Sequence, residues 1–94
     1  MPLKIINKIR DAVITGNYDI TYHGIEEMAE DNFTILDVES AILNGIITKR
    51  EKDDPRGVKY VIEGTGADQI TPIGVVGRFK ETGIFLIITA YEIT

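Results

Sequence analysis

At Gly45 the 94-residue chain changes its hydrophobic period. Upstream, Ile5, Ile9, Ala12 and Val13 fall at i, i+4, i+7 and i+8, the spacing of one helical face. Gly16-Asn17 is a suitable stop for that helix. Thr21 is placed to cap a second helix, on which Tyr22, Ile25, Met28 and Ala29 share a face and Asn32 marks the end. Thr34 caps a third, with Asp37 at the reciprocal capping position. Its Ile35, Val38, Ala41 and Ile42 face inward, and Asn44-Gly45 closes it. Downstream, "GIITKRE", "VKYVIEG", "TPIGVVGRF" and "GIFLIITAYE" are rich in β-branched and aromatic residues, and the turn sequences "DDPRG", "GTGADQ" and "KETG" separate them. Short connections between consecutive strands imply antiparallel pairing. The expected fold class is therefore α+β in one domain, residues 1–94. Two or three N-terminal helices (about 3–44) pack on one face of a four-stranded antiparallel β-meander (about 46–93). One helical layer leaves the other sheet face open for work.

Alternation assigns the strand faces. In the last strand Ile84, Leu86, Ile88 and Ala90 are assigned to the core, and Phe85, Ile87, Thr89 and Tyr91 to the open face, because the second set carries the polar groups. In the strand before it Ile73, Val75, Gly77 and Phe79 oppose Gly74, Val76, Arg78 and Lys80, so Arg78 points away from the core. Gly74 and Gly77 mark a bulge or the close approach of another group.

The net charge of −5 argues against non-specific nucleic-acid binding, which is driven by neutralising phosphates. The charge is uneven: residues 1–45 carry three basic and eight acidic residues, whereas residues 46–94 carry seven of each. Five of the ten basic residues fall between Lys49 and Lys59, either as a solvated hairpin of mixed charge or as a local anion-binding patch. Pattern alone slightly favours the hairpin. The absence of cysteine excludes disulfides and thiolate zinc sites and fits a reducing compartment. No apolar run is long enough to span a bilayer and the N-terminus lacks a signal-peptide core, so the expectation is a cytoplasmic protein that does not enter the membrane.

Four places could carry chemistry. His23, the one histidine, opens the second helix, where it is either a proton-transfer group or an ordinary helix-end residue. The helix dipole disfavours its imidazolium and Glu27, one turn on, favours it. In "DDPRGVKY", Arg56 and Lys59 either hold a phosphate or carboxylate or simply accompany a tight turn. Arg78 stands near a strand end, and Thr89 and Tyr91 share the open face, where a tyrosine stacks on a base or merely covers the sheet. No phosphate loop, nucleophile elbow or spaced metal-ligand set is present, so no metal and no cofactor is expected.

The segments "ITYHGIEEM", "ILDVESAILNGIITKRE", "DPRGVKYVIEG", "PIGVVGRF" and "IITAYE", in this order from about residue 17 onward, resemble domain-of-unknown-function family 4258 of bacteria. That family resembles barnase- and RelE-like metal-independent ribonuclease toxins, which pack helices on an antiparallel sheet and use its open face. The resemblance implies His23, Arg78 and Tyr91 as catalytic residues, and Arg56 and Thr89 as substrate-binding ones, which Lys59 joins from its place beside Arg56 in the turn segment. It implies RNA as substrate and an antitoxin-type protein as partner. The chain departs from the family at Gly24, where alanine is frequent, and at Glu27, where arginine is frequent, and a carboxylate at 27 repels RNA. The competing expectation is a non-catalytic interaction module. It would bind a partner or form a homodimer through the open face, around Phe85 and Ile87, or through the edge strand 46–52.

Overall fold

The computed structural model describes residues 4–52 and 54–94. Three helices, α1 (Ile5–Ile14), α2 (Tyr22–Glu30) and α3 (Ile35–Asn44), accompany five strands: β1 (Tyr18–Ile20), β2 (Ile46–Glu51), β3 (Lys59–Thr65), β4 (Pro72–Phe79) and β5 (Phe85–Glu92). The order across the sheet is β1-β5-β4-β3-β2. The expected four-stranded meander is present as β2 to β5, antiparallel throughout. The sheet nevertheless has five strands and is mixed, because β1 adds parallel to β5 with Tyr18 opposite Phe85 and Ile20 opposite Ile87. Three residues between two helices are too few to show a strand period. Their partner is at the far end of the chain, so nothing local signals the pairing. The Tyr18 hydroxyl donates to Glu39 Oε2 at 2.6 Å, tying β1 to α3. Burial, together with this hydrogen bond and the nearby carboxylate charge, pushes the phenol up to about 12.

The helix boundaries follow their local chemistry. Gly16 after α1 takes φ +75°, and Asn32 after α2 takes φ +60°, conformations open to glycine and asparagine. The Asp37 carboxylate accepts from the Thr34 backbone N–H at 3.0 Å, and the α3 faces are as expected, with Val38, Ala41 and Ile42 fully buried. The α2 face differs. Gly24 and Met28 are buried, whereas Tyr22 is 78% and Ile25 52% exposed, and Ala29 is exposed too. The helix turns its narrow glycine side to the protein: a Cβ at Gly24 would stand 3.0 Å from Ile20 Cγ2 and 3.1 Å from the Ile88 carbonyl oxygen.

The core lies between α1, α3 and one sheet face, and comprises Ile9, Val38, Ala41, Ile42, Ile62, Ile73, Val75, Phe85, Ile87 and Ala90, all fully buried. The assignment for β4 holds, but that for β5 reverses before residue 88. Phe85 and Ile87 are core residues, and Leu86 is on the opposite face beside Arg78. The cause is a β-bulge: Val76 pairs with Thr89 and Gly77 with Ile87, leaving Ile88 as the extra residue. A bulge shifts the alternation by one, so Ala90 faces in and Thr89 and Tyr91 face out, as expected from their polarity. Phe85 and Ile87 therefore cannot form the exposed apolar patch expected of an interaction module, since both are fully buried. Gly77 sits at the bulge because the Phe85 ring covers it, and a Cβ there would be 2.5 Å from Phe85 Cζ.

The Thr21 side chain secures α2 to this bulge. Its Oγ1 accepts from Gly24 N at 3.0 Å and donates to the Ile88 carbonyl at 2.7 Å, while its N–H donates to the Ile87 carbonyl at 2.9 Å. At the other end of α2, an Asp31 carboxylate oxygen accepts from Glu92 N at 3.1 Å. The helix thus covers the stretch of β5 that β1 is too short to pair. Replacing Thr21 by Ala removes the cap and the tie together. We expect urea unfolding to show a loss of about 1–2 kcal/mol, with Thr21→Ser restoring most of it.

Candidate functional site

Register places three successive rows of side chains on the open face. Glu63, Gly74 and Tyr91 form one row; Val61, Val76 and Thr89 the next; Arg78 and Leu86 the third. Gly74 has no side chain, and the Tyr91 ring fills the space above it: a Cβ at Gly74 would be 2.5 Å from Tyr91 Cζ and 2.7 Å from its hydroxyl. The phenol therefore lies along the sheet and leans toward β4. Arg78 is four residues farther along β4 than Gly74, roughly 13 Å of strand. Between them lies an apolar strip, of which Val61 is 9% exposed although it takes no part in the helix-covered core.

His23 stands in the first turn of α2, 67% exposed, with Nε2 at 3.4 Å from Glu27 Oε1. Gly24 and Asp31 mark the line of α2 that follows the β5 edge, and Met28 turns to the core side of that line. Helical phase puts His23 and Glu27 on the other flank of α2, away from Met28 and toward the side of the open face. Glu27, expected from its spacing to favour the imidazolium, is the group that faces the imidazole.

Arg56 and Lys59 are brought together at the turn end of the β2–β3 hairpin, around a carboxylate. Asp54, with only 8% of its side chain exposed, accepts from the Arg56 backbone N–H at 2.9 Å, Nε at 3.1 Å and Nη2 at 3.2 Å, and lies 3.8 Å from Lys59 Nζ. Gly57 N donates to the Asp54 carbonyl at 3.1 Å, so the expected turn is formed. Lys59 also lies 3.6 Å from Glu51, and Lys49 3.3 Å from the same carboxylate. The wide cleft here, about 890 Å³, is thus cationic, and three of the five cations that line it, Lys49, Arg56 and Lys59, face a carboxylate. Arg78 is different: among the described residues it faces no carboxylate within salt-bridge distance. An aspartate two residues before an arginine, across a proline, is the sequence signal that could have announced the Asp54–Arg56 pair.

Four surface clefts, of about 890, 490, 560 and 500 Å³, are lined by residues other than His23, Arg78, Thr89 and Tyr91. Among the described residues no three His, Cys, Asp or Glu side chains gather as a metal site. None of the described helices is long and apolar enough to cross a membrane.

The family model for the domain of unknown function DUF4258 matches residues 20–92, and the chain belongs to this family. The matched span runs from the last residue of β1 to the last of β5, so it contains every site residue considered above. No curated protein matches the chain significantly, and no solved structure does.

The geometry makes two predictions. The Arg56 side-chain hydrogen bonds, ahead of its backbone N–H, hold the Asp54 carboxyl down at about 2, against an ordinary value of about 3.9. A depressed carboxylate contributes stability above its unfolded pKa, and that contribution is lost as pH falls from about 4 toward 2. In a carboxyl-carbon NMR titration Arg56→Ala should move the Asp54 midpoint upward, toward the ordinary value. Gly74→Ala should push the Tyr91 ring off the sheet. The expected signs are lost contacts between the ring protons and residue 74 in NOE spectra and a stability loss under about 1.5 kcal/mol, since the ring end is free to move.

Proposed function

We propose that the open sheet face binds RNA and cleaves it without a metal. What supports this is that Thr89, Tyr91 and Arg78 share the open face, that Arg78 has no carboxylate within salt-bridge distance among the described residues, and that His23 carries a carboxylate neighbour, Glu27, at 3.4 Å on the adjoining helix. In the proposed step a ribose 2′-oxygen attacks the adjacent phosphorus, the bond from phosphorus to the 5′-oxygen breaks, and a 2′,3′-cyclic phosphate forms. His23 takes the 2′-hydroxyl proton, and the imidazolium so formed is stabilised by Glu27, after which a proton is returned to the departing 5′-oxygen. Arg78 faces the charge that builds on the phosphate. Tyr91, lying along the sheet, offers its ring to a base, and Thr89 a hydroxyl to the ribose. Arg56 and Lys59, shared with Asp54, contact the backbone farther along the strand. A nuclease of this kind would act as the toxin of a toxin–antitoxin pair.

A second function, that of a protein-interaction module, is favoured by the exposure of Leu36 (63%), Leu43 (41%) and Ile70 (79%). The first two border a shallow cleft of about 500 Å³ between α3 and the β3–β4 turn.

Controlled expression in a bacterial host separates the two. Under the nuclease proposal the chain arrests growth and degrades RNA, and His23→Ala and Arg78→Ala each reduce cleavage roughly a hundredfold or more while circular dichroism stays unchanged. Intact RNA with normal growth, or full toxicity in both variants, overturns it in favour of the interaction module.

A further inference from the structure

Strand β2 is one edge of the sheet and, among the described residues, pairs with β3 alone. Half of the N–H and C=O groups of an edge strand point away from the sheet and can accept another strand. Beside this edge the first turns of α1 leave a groove of about 490 Å³. Its walls are apolar, with Ile5 and Ile6 from the helix and Ile46 and Ile47 from the strand, and Ile46 is 66% exposed.

Three cations line the same groove, Lys4, Arg10 and Arg50, and no carboxylate does, in a chain whose net charge is −5. The hairpin cleft, which shares Arg50 with this groove, is lined by two carboxylates as well, Glu51 and Asp54. There Lys49, Arg56 and Lys59 each face a carboxylate within 4 Å. None of the three groove cations does so among the described residues. Arg10 is half-buried; its Nη2 donates to the Gly45 carbonyl at 2.8 Å, and its Nε is buried with no acceptor. Arg50 is held 5.9 Å from the Tyr60 ring centroid. A half-buried guanidinium between isoleucines without a counter-charge is unfavourable, and a carboxylate brought from outside relieves it.

We infer that this groove and the β2 edge take an extended acidic and apolar segment of a partner protein. The segment's backbone adds to β2, its apolar side chains lie among Ile5, Ile6, Ile46 and Ile47, and a carboxylate meets Arg10 and Arg50. The bulge at Thr48, where the β2–β3 register shifts between Ile47 and Lys49, keeps the added ladder short. Nucleic acid suits the site less, because its walls offer no aromatic face for a base. A second copy suits it less, because its β2 would present Lys49 and Arg50 where carboxylates are wanted. The inference stands whether or not the open face cleaves RNA.

The test is an NMR titration of the ¹⁵N-labelled full chain with a blocked peptide, acetyl-Glu-Val-Asp-Ile-Glu-Val-amide. A lysine-for-acid counterpart and a short oligouridylate serve as competitors. Saturable shifts at Ile46, Ile47 and Arg50 and at the Arg10 Nε–H are expected, with binding weakened about tenfold or more by Arg50→Glu and by Ile46→Asp. Both substituted side chains are exposed, so the fold should persist in either variant. Absence of saturable shifts, equal binding of the lysine peptide, shifts confined to other residues, or stronger perturbation of the groove by oligouridylate each overturns the inference.

Discussion

One hydroxyl holds together the part of the molecule on which the candidate site depends. Thr21 Oγ1 accepts from the first turn of α2 and donates to the carbonyl of Ile88, the extra residue of the β5 bulge. The bulge lets one strand turn Phe85, Ile87 and Ala90 to the core and Thr89 and Tyr91 to the open face. A regular strand of this sequence would have had to bury either Phe85 or Ala90, not both, since they lie five residues apart and period two puts them on opposite faces. The same tie carries His23 to the rim of the sheet, because His23 is two residues beyond Thr21 on the helix that the hydroxyl caps.

Two glycines of β4 complete this arrangement by what they lack. Phe85 covers Gly77 on the core side, and Tyr91 covers Gly74 on the open side. An aromatic ring laid over a glycine in the neighbouring strand keeps its own area partly out of water and keeps the strands close. It also gives the ring one orientation, which for Tyr91 is along the open face.

The electrostatics divide the molecule into three regions. The acidic helices α2 and α3 contrast with the hairpin, where Asp54 and Glu51 absorb the charge of Arg56, Lys59 and Lys49. Arg78 on the open face and Arg10 and Arg50 beside the β2 edge lack such partners among the described residues. The surfaces proposed here to meet RNA and a partner segment are those with uncompensated cations, because a cation already paired gains less from an incoming anion.

Local spacing in the sequence was enough for whatever depends on neighbours along the chain. The faces of α1 and α3, the Thr34–Asp37 contact, the turn at Asp54–Gly57, the four meander strands and the outward direction of Arg78 all follow from patterns a few residues long. DUF4258 membership was legible too, from the order of five short motifs. Tertiary structure decided what depends on distant partners. It made a strand of Tyr18–Ile20 by pairing it with β5, and on α2 it kept Met28 buried as expected but put Gly24, packed against Ile88, in the place expected for Tyr22, Ile25 and Ala29. It shifted the parity of β5 by one residue and determined which cations keep a free charge. Period and propensity describe a segment in isolation, whereas register, bulges and ion pairs arise from contacts between segments. The residue types of the candidate site were therefore visible in the sequence, and their mutual arrangement was not.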